Sequence, residues 1–444
     1  MRHHLDWSNY HDQGMGDAYA DIPRLGGDFA KAVAVCIRSG VCEQLTSSGV
    51  MCPSYRLTPG EDNSPGGRVR LLKAALNHPD PHHWLQEPRL AQAMASCVGC
   101  KGCQRECENS LDMAAIRVEY LAQKGGHFRK AWRRRLLSRF PLWLWRWPWL
   151  GRLIRWRNRH PFLAVLGQWL LGIAADVVLP EPVATRDLPQ ASEPPGTGVP
   201  VLLWVDAFTA LFDPQQVAQA RRLLRQLGYA VHVLAPASGG RGFLDCGRAA
   251  YAQGEVALAR RQLGQLLQAL QPALVAGWPI IGLEPSALLM LRDESRQLCP
   301  EQAPALRSRA RLLEEFLAHE LQAGNIALPL SALARPLLVH GHCHQKAAGA
   351  MKSLRRLLRQ IPALQVEFIE AACCGMAGTH GIESEHAAAG EAMARQVLIP
   401  VIESRPDAEL LCTGMACRHQ ITRLTGRQPL TLVGLLARLY AGSD

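Results

Sequence analysis

The first third of the chain spaces its apolar residues with a helical period. The stretches "GRVRLLKAAL" (67–76) and "EPRLAQAMAS" (87–96) repeat apolar positions every three or four residues, and both contain or follow turn-forming Pro and Gly. Both stretches lie between two cysteine-rich runs. The pattern therefore predicts an all-helical domain of the ferredoxin type over residues 1–125.

The second half of the chain changes to short apolar runs between amphipathic segments, and it contains an internal repeat. The motif "RRLLRQ" occurs at 221–226 and again at 355–360, and an apolar run, "YAVHVLA" or "LQVEFIE", follows each copy. Further runs, "VPVLLWV", "ALVAGWPII" and "RPLLVHG", alternate with helical segments, which predicts parallel strands in α/β layers. We therefore expect a multidomain protein in which the helical ferredoxin domain is followed by duplicated α/β cysteine-rich domains at 196–330 and 331–444.

Between these halves, residues 126–195 form a predicted connector rich in Trp and Arg. The chain has 49 basic and 38 acidic residues, and residues 129–159 contain 11 of the basic ones and no acid, so this segment accounts for the whole net charge of +11. A segment of this kind is expected to dock on a partner or cover the cluster domain, or to contact a membrane surface. Binding to nucleic acid is the least favoured of the alternatives.

Membrane and export signals are weak. Residues 162–179 are apolar, but they contain Gln168 and Asp176 and lie between two prolines, so we do not expect them to span a bilayer. The N-terminal residues contain no apolar run, which predicts the absence of a secretory signal. We expect a cytoplasmic protein, located at the inner face of the cell membrane if the basic segment binds lipid.

Seven of the 14 cysteines lie between residues 36 and 107 at close spacings, which favours metal ligation over disulfides. The run "CVGCKGCQREC" (97–107) is a complete C-x2-C-x2-C-x3-C motif. In two-cluster ferredoxins the last cysteine of each run serves the other cluster. This wiring assigns one complete [4Fe–4S] cluster, here called site B, to Cys52, Cys97, Cys100 and Cys103.

The same wiring leaves an incomplete set, here called site A, which consists of Cys36, Cys42 and Cys107. Its fourth thiolate is missing because Ser39 occupies the middle position of the first run. Site A would therefore hold a three-iron cluster, use a ligand other than cysteine, or stay empty.

A third group of cysteines, here called site C, lies in the second repeat and consists of Cys343, Cys373, Cys374 and Cys417. Each falls at a predicted strand end, where α/β folds place ligand-binding groups. His340, His342 and His344 are expected to alternate along the adjacent strand end, and His342 and His344 are candidate additional ligands. Site C is predicted to hold an iron–sulfur cluster or another metal such as zinc, with a redox-active thiol pair or an empty site as alternatives.

The first repeat retains little of this site. Cys246 is its one cysteine at a corresponding position, and Asp206, Asp245 and Ala287 stand near the others, so this copy is not expected to bind a metal alone. Cys299 and Cys412 belong to neither pattern and are predicted to be structural.

Several segments resemble those of FAD-linked D-2-hydroxyacid dehydrogenases. In particular they look like the iron–sulfur C-terminal half of the D-2-hydroxyglutarate and D-lactate dehydrogenase type, over about residues 30 to 440. The cysteine-rich repeats are also similar to those of the glycolate oxidase iron–sulfur subunit and of the cysteine-rich subunit of heterodisulfide reductase. The segments that carry the resemblance are "MCPSYRLT", "WVDAFT", "GLEPSALLMLRDE", "HGHCHQKA", "CCGMAG" and "CRHQI".

The resemblance implies an iron–sulfur electron-transfer subunit that passes electrons from a partner flavoprotein to a respiratory acceptor. Fused members of the family carry an FAD-binding domain first, whereas no flavin or dinucleotide fingerprint is present here, so FAD is expected only on a partner subunit. The open C-x5-C looks like the family's usual first run, while Asp245 and Ala287 replace residues that are often Cys in the family. The alternative is a non-catalytic iron–sulfur scaffold that the basic segment recruits to a membrane or to nucleic acid.

Overall fold

The computed structural model describes residues 3–10, 21–45, 49–80, 82–124, 128–183, 194–236 and 243–441. Its first third is helical, and helices at Pro65–Leu76 and Pro88–Ser96 confirm the two helices predicted from periodicity. A short 3-10 helix, Val41–Glu43, contains Cys42 of the first cysteine run. The α-helices are α1 (Gly27–Ala34), α2 (Pro53–Leu57), α3 (Pro65–Leu76), α4 (His83–Gln86), α5 (Pro88–Ser96), α6 (Gly102–Glu106) and α7 (Met113–Lys124).

The connector forms three consecutive helices, α8 (Phe128–Arg146), α9 (Trp149–Arg159) and α10 (Pro161–Leu171). Helix α10 is only 11 residues long and begins at a proline. In the described part of the chain, no helix is both long enough and apolar enough to cross a membrane.

Two small parallel sheets follow, as the alternating pattern predicts. The first has the strand order β2-β1-β3-β4 and the second the order β6-β5-β7, so the second repeats the β2-β1-β3 arrangement of the first. The strands are β1 (Val199–Trp204), β2 (Tyr229–Leu234), β3 (Ile280–Gly282), β4 (Ala310–Leu312), β5 (Leu337–His340), β6 (Val366–Phe368) and β7 (Glu409–Cys412).

Helices surround both sheets. The first group is α11 (Ala207–Phe212), α12 (Gln215–Gln226), α13 (Arg248–Ala252), α14 (Val256–Val275), α15 (Pro285–Arg292), α16 (Ser295–Leu298), α17 (Ala303–Arg309) and α18 (Leu313–Gln322). The second group is α19 (Cys343–Ala347), α20 (Met351–Leu358), α21 (Ala387–Gln396), α22 (Leu398–Glu403), α23 (Met415–Thr425) and α24 (Leu432–Leu439). The run at 273–281 is not one strand, because its first three residues end α14 and the strand begins only at Ile280.

Strand β1 joins two hydrophobic cores because its side chains alternate between the faces of the sheet. Leu202 and Trp204 pack into a core that they share with the N-terminal helices, whereas Val201 and Leu203 pack into a core shared with the second sheet. The first sheet is thus buried between the cysteine-rich helices and the second repeat. This packing brings the three thiol sites close together, although the domain boundaries drawn from the sequence stay predictions.

Candidate iron–sulfur and thiol sites

The four cysteines of site B line one cavity of about 290 Å³. Cys52 precedes α2, and Pro53 occupies the first turn of that helix, while Cys97 ends α5. Between Cys97 and Cys103 the chain reverses its direction through two left-handed residues, Gly99 (φ +64°) and Lys101 (φ +62°). This local geometry presents the closely spaced thiols to one small space, as a cubane cluster requires.

Hydrogen-bond donors point at the sulfur atoms of site B. The Arg68 Nη1 lies 3.4 Å from the Cys52 Sγ, and the Gly102 backbone N–H donates to the Cys100 Sγ over 3.5 Å. Gly102 must lack a side chain, since a Cβ there would lie 1.9 Å from the Val50 carbonyl oxygen. N–H donors stabilise thiolates and iron-bound sulfur, so the donor set fits an iron–sulfur cluster.

Arg68 is the buried cation of site B. Burial opposes its charge, but the neighbouring thiols of Cys97 and Cys52 outweigh burial and raise its pKa. Its guanidinium also donates to the Ala93 carbonyl (2.7 Å) and to the hydroxyls of Ser54 and Ser96 (2.9 Å each). The guanidinium is therefore fixed beside the place where thiolate charge would collect.

Site A lies next to site B and is closer to the surface. Cys36, Cys42 and Cys107 are half-buried and line a cavity of about 560 Å³ whose wall also contains Ser39. The Gly66 backbone N–H donates to the Cys42 Sγ over 3.3 Å. Pro65 lies in the walls of both cavities, so the two sites are neighbours.

The thiols of site C form a connected chain. Cys343 contacts Cys373, which contacts Cys374, and Cys374 in turn contacts Cys417. Hydrogen bonds from Cys373 and Cys417 lower the pKa of the Cys374 thiol to about 5 in spite of its burial. The arrangement brings four thiols together in one buried place, and the contacts with Cys373 and Cys417 favour ionisation of the Cys374 thiol.

A tight turn places the two adjacent cysteines. Gly375 has φ +78°, and a Cβ on it would lie 1.8 Å from the Gly390 carbonyl oxygen, so only glycine fits. The Gly375 N–H donates to the Cys373 Sγ over 3.3 Å. Because Cys373 and Cys374 lie in this loop and not on a strand, their thiols need not point apart.

Two other expectations for site C differ from the structure. The three histidines do not alternate along a strand, because β5 ends at His340, while His342 caps α19 and His344 lies within that helix. Cys412, which the sequence assigned to no site, contacts the Cys417 thiol. Cys412 is the last residue of β7, directly opposite His340 in the pairing of β7 with β5.

Sites B and C are adjacent in space although hundreds of residues separate them in sequence. Burial raises the pKa of the Cys100 thiol, and the next largest causes are the nearby thiols of Cys343 and Cys373. The His344 Nε2 lies 3.0 Å from the Gly99 carbonyl oxygen, which ties α19 to the loop of site B. Sites A, B and C therefore form a row from the half-buried N-terminal cysteines to the buried C-terminal ones.

The corresponding residues of the first repeat are buried. Asp206 caps α11 as His342 caps α19, and burial, together with Glu284, raises the Asp206 pKa to about 7. Glu284 caps α15, and its Oε2 accepts a hydrogen bond of 2.9 Å from the Met415 backbone N–H at the start of α23. Ala287, which is the third residue of α15, corresponds to Cys417, the third residue of α23.

Comparisons with known proteins agree with this arrangement. The model of the 4Fe-4S dicluster domain matches residues 32–111. A D-2-hydroxyglutarate dehydrogenase of Pantoea ananatis is 23% identical over 449 residues, covering 89% of this chain and 42% of that protein. The enzyme of the same name from Pseudomonas putida is 25% identical over 471 residues, covering 92% of this chain and 44% of that protein.

A shorter similarity involves one component of another dehydrogenase. A subunit of the anaerobic glycerol-3-phosphate dehydrogenase of Escherichia coli is 30% identical over 193 residues, covering 42% of this chain and 48% of that protein. The chain thus spans less than half the length of each of these relatives. No solved structure matches the chain significantly. The matched domain and the dehydrogenase relatives support iron–sulfur binding and a redox role in an oxidoreductase.

Proposed function

We propose that this chain is the iron–sulfur electron-transfer subunit of an FAD-linked 2-hydroxyacid dehydrogenase or oxidase. A partner flavoprotein oxidises the substrate and holds the FAD, and the chain carries the electrons to a respiratory acceptor. The row of sites A, B and C carries this proposal, because neighbouring iron–sulfur sites are what single-electron transfer through a protein requires. The dehydrogenase relatives support the substrate class, and the glycerol-3-phosphate dehydrogenase relative, itself named as a subunit, supports a multisubunit assembly.

The three thiol sites differ in exposure. The cysteines of site A are half-buried whereas those of sites B and C are buried, so a cluster held by Cys36, Cys42 and Cys107 would be the one that a docked flavoprotein could approach most closely. Cys52, Cys97, Cys100 and Cys103 hold a [4Fe–4S] cluster at site B, which supplies one-electron transfer. The protein holds the cluster and tunes its reduction potential through Arg68 and through burial.

The connector contacts a membrane surface in this proposal. Helices α9 and α10 expose large apolar side chains, among them Trp149, Trp156 and Phe162. Arg152 and Arg159 are exposed on α9. Aromatic residues beside arginines suit the headgroup region of an anionic bilayer, so the protein is a peripheral component at the inner face of the cell membrane.

Dye-linked activity tests the subunit proposal. The purified, cluster-loaded chain is mixed with D-2-hydroxyglutarate or D-lactate and a dye acceptor, and in parallel its clusters are reduced with dithionite. We expect no substrate oxidation by the chain alone and full cluster reduction by dithionite. Dye reduction that depends on either hydroxyacid would overturn the assignment of FAD chemistry to a partner.

A further inference from the structure

A large cavity of about 1750 Å³ lies between the cysteine-rich helices, the connector and both repeats. Its wall includes Cys97 of site B and Cys343 of site C. A molecule held there would touch a ligand residue of each of the two buried thiol sites. A molecule bound in the cavity is therefore close enough to receive electrons from either site.

The cavity has one apolar wall. Helix α8 contributes Leu136, Leu137 and Phe140, and α11 contributes Phe208 and Phe212. This wall is suited to a flat ring or an aliphatic tail, because apolar groups bind favourably when they leave water and pack against an apolar surface.

Polar side chains also line the cavity, and one of them lacks a hydrogen-bond partner within the described residues. Tyr251 is 2% exposed and lines the cavity, yet its hydroxyl makes no hydrogen bond within the described residues. Arg248 also lines the cavity, where it is paired with Glu294. A buried hydroxyl left without a partner costs free energy, so this group is a candidate donor to a ligand oxygen.

From these features we infer that the cavity binds a quinone, a two-electron acceptor with carbonyl oxygens and an apolar body. Tyr251 donates to one quinone carbonyl, and the apolar part lies against α8. The quinone takes two electrons, one at a time, from the iron–sulfur sites and two protons from water, and it leaves as the quinol. This inference rests on the proposed function, which supplies the electrons.

The connector also explains why the ligand is one that dissolves in lipid. Helix α8 forms the apolar wall and continues into α9 and α10, which expose Trp149, Trp156 and Phe162. One segment of the chain thus provides both the surface that contacts a bilayer and a wall of the cavity. A quinone in that bilayer is close to the cavity when the protein is docked.

Equilibrium binding and reoxidation of the full-length, cluster-loaded chain test the inference with decylubiquinone as the probe. We expect binding that quenches tryptophan fluorescence, and decylubiquinone should reoxidise the dithionite-reduced protein. Tyr251→Phe should weaken binding about tenfold, as the loss of one hydrogen bond to the ligand does. Leu136→Trp, which fills the apolar end, should weaken it further, and both variants should keep the iron content and the rate of reoxidation by ferricyanide.

Tyr229→Phe is the matched control. The hydroxyl of this buried tyrosine donates to the Glu320 Oε2 in a hydrogen bond of 2.8 Å, and Tyr229 does not line the cavity. This variant should bind decylubiquinone as the wild type does. The inference is overturned if decylubiquinone does not bind, or if the wild type and both cavity variants bind it equally. In either case, reoxidation by ferricyanide shows whether the protein still transfers electrons. A chain without a reducible iron–sulfur signal refutes the proposed function instead, and the fluorescence titration still tests the cavity.

Discussion

Replacing Arg68 should lower the reduction potential of the site B cluster. The guanidinium Nη1 lies 3.4 Å from the Cys52 Sγ and is buried, so its positive charge favours the reduced, more negative form of the cluster. Arg68→Gln removes that charge and keeps a hydrogen-bonding side chain. Arg68→Lys retains the charge and should stay near the wild-type potential.

The distance sets the magnitude. Two unit charges 3.4 Å apart interact with about 5 kcal/mol at an effective dielectric constant of about 20. An electron spread over a cluster with four thiolates places about a quarter of its charge near Cys52, which leaves about 1.2 kcal/mol from this contact. That energy corresponds to a decrease of about 50 mV for a one-electron couple.

A redox titration followed by electron paramagnetic resonance measures the shift in variants that contain the same iron as the wild type. Arg89→Gln is the control, because Arg89 lies in the same helical region but its side chain is 64% exposed and pairs with Asp62. Exposed pairs contribute little, so this variant should not shift the potential. A cluster-loaded Arg68→Gln protein with the wild-type potential would show that Arg68 serves packing alone.

The remaining predictions concern the clusters, the membrane and pH. Cys97→Ser should abolish the site B cluster because it removes one of four ligands, whereas Cys36→Ser should leave that cluster present. Iron analysis with spin resonance distinguishes the two variants, and equal cluster loss in both would refute the assignment of cysteines to sites A and B. Phe162→Glu should weaken sedimentation with vesicles containing phosphatidylglycerol by about tenfold or more. The substitution places a charge where the exposed Phe162 ring would insert into the bilayer. Val275→Glu is the control and should not weaken sedimentation, because Val275 lies outside the connector. Its side chain is 78% exposed, close to the 75% of Phe162. Burial raises the Glu314 pKa from 4.5 to about 8, so as pH rises the carboxyl ionises in the unfolded chain before it ionises in the folded protein. The free energy of unfolding should therefore fall between about pH 4.5 and about pH 8, by up to about 1.4 kcal/mol per pH unit. Glu314→Gln should flatten that dependence in denaturant titrations, and an unchanged slope would assign it to other groups.

Local sequence patterns predicted those parts of the fold that depend on local geometry. The periodicity of residues 67–76 and the spacing of Cys97, Cys100 and Cys103 act within one or two turns of chain, so the helix and the shared cavity could be expected from them. The repeated "RRLLRQ" motif likewise indicated a duplicated α/β arrangement, while the strand order that the two sheets share is seen only in the structure.

Contacts between distant segments could not be predicted in this way. Arg68 reaches Cys52 and Ser96 only because α3 packs across both, and Tyr251 borders the cavity only because two repeats and the connector meet there. Cys412 has no motif spacing that marks it, and its contact with Cys417 follows from the position where β7 ends. The sequence specifies these contacts through the packing of whole elements, which no short motif encodes.

Reversible uptake of electrons is the property that an electron-transfer subunit must have. The full-length protein is purified without oxygen, and stepwise reduction is followed by visible absorption and spin resonance together with iron analysis. The electron-transfer account predicts at least about four iron atoms per chain, reversible bleaching, and a reduced cluster signal that Cys97→Ser lacks. A chain that contains no iron would contradict electron transfer, and iron that cannot be reduced and reoxidised would contradict it and favour the iron–sulfur scaffold alternative.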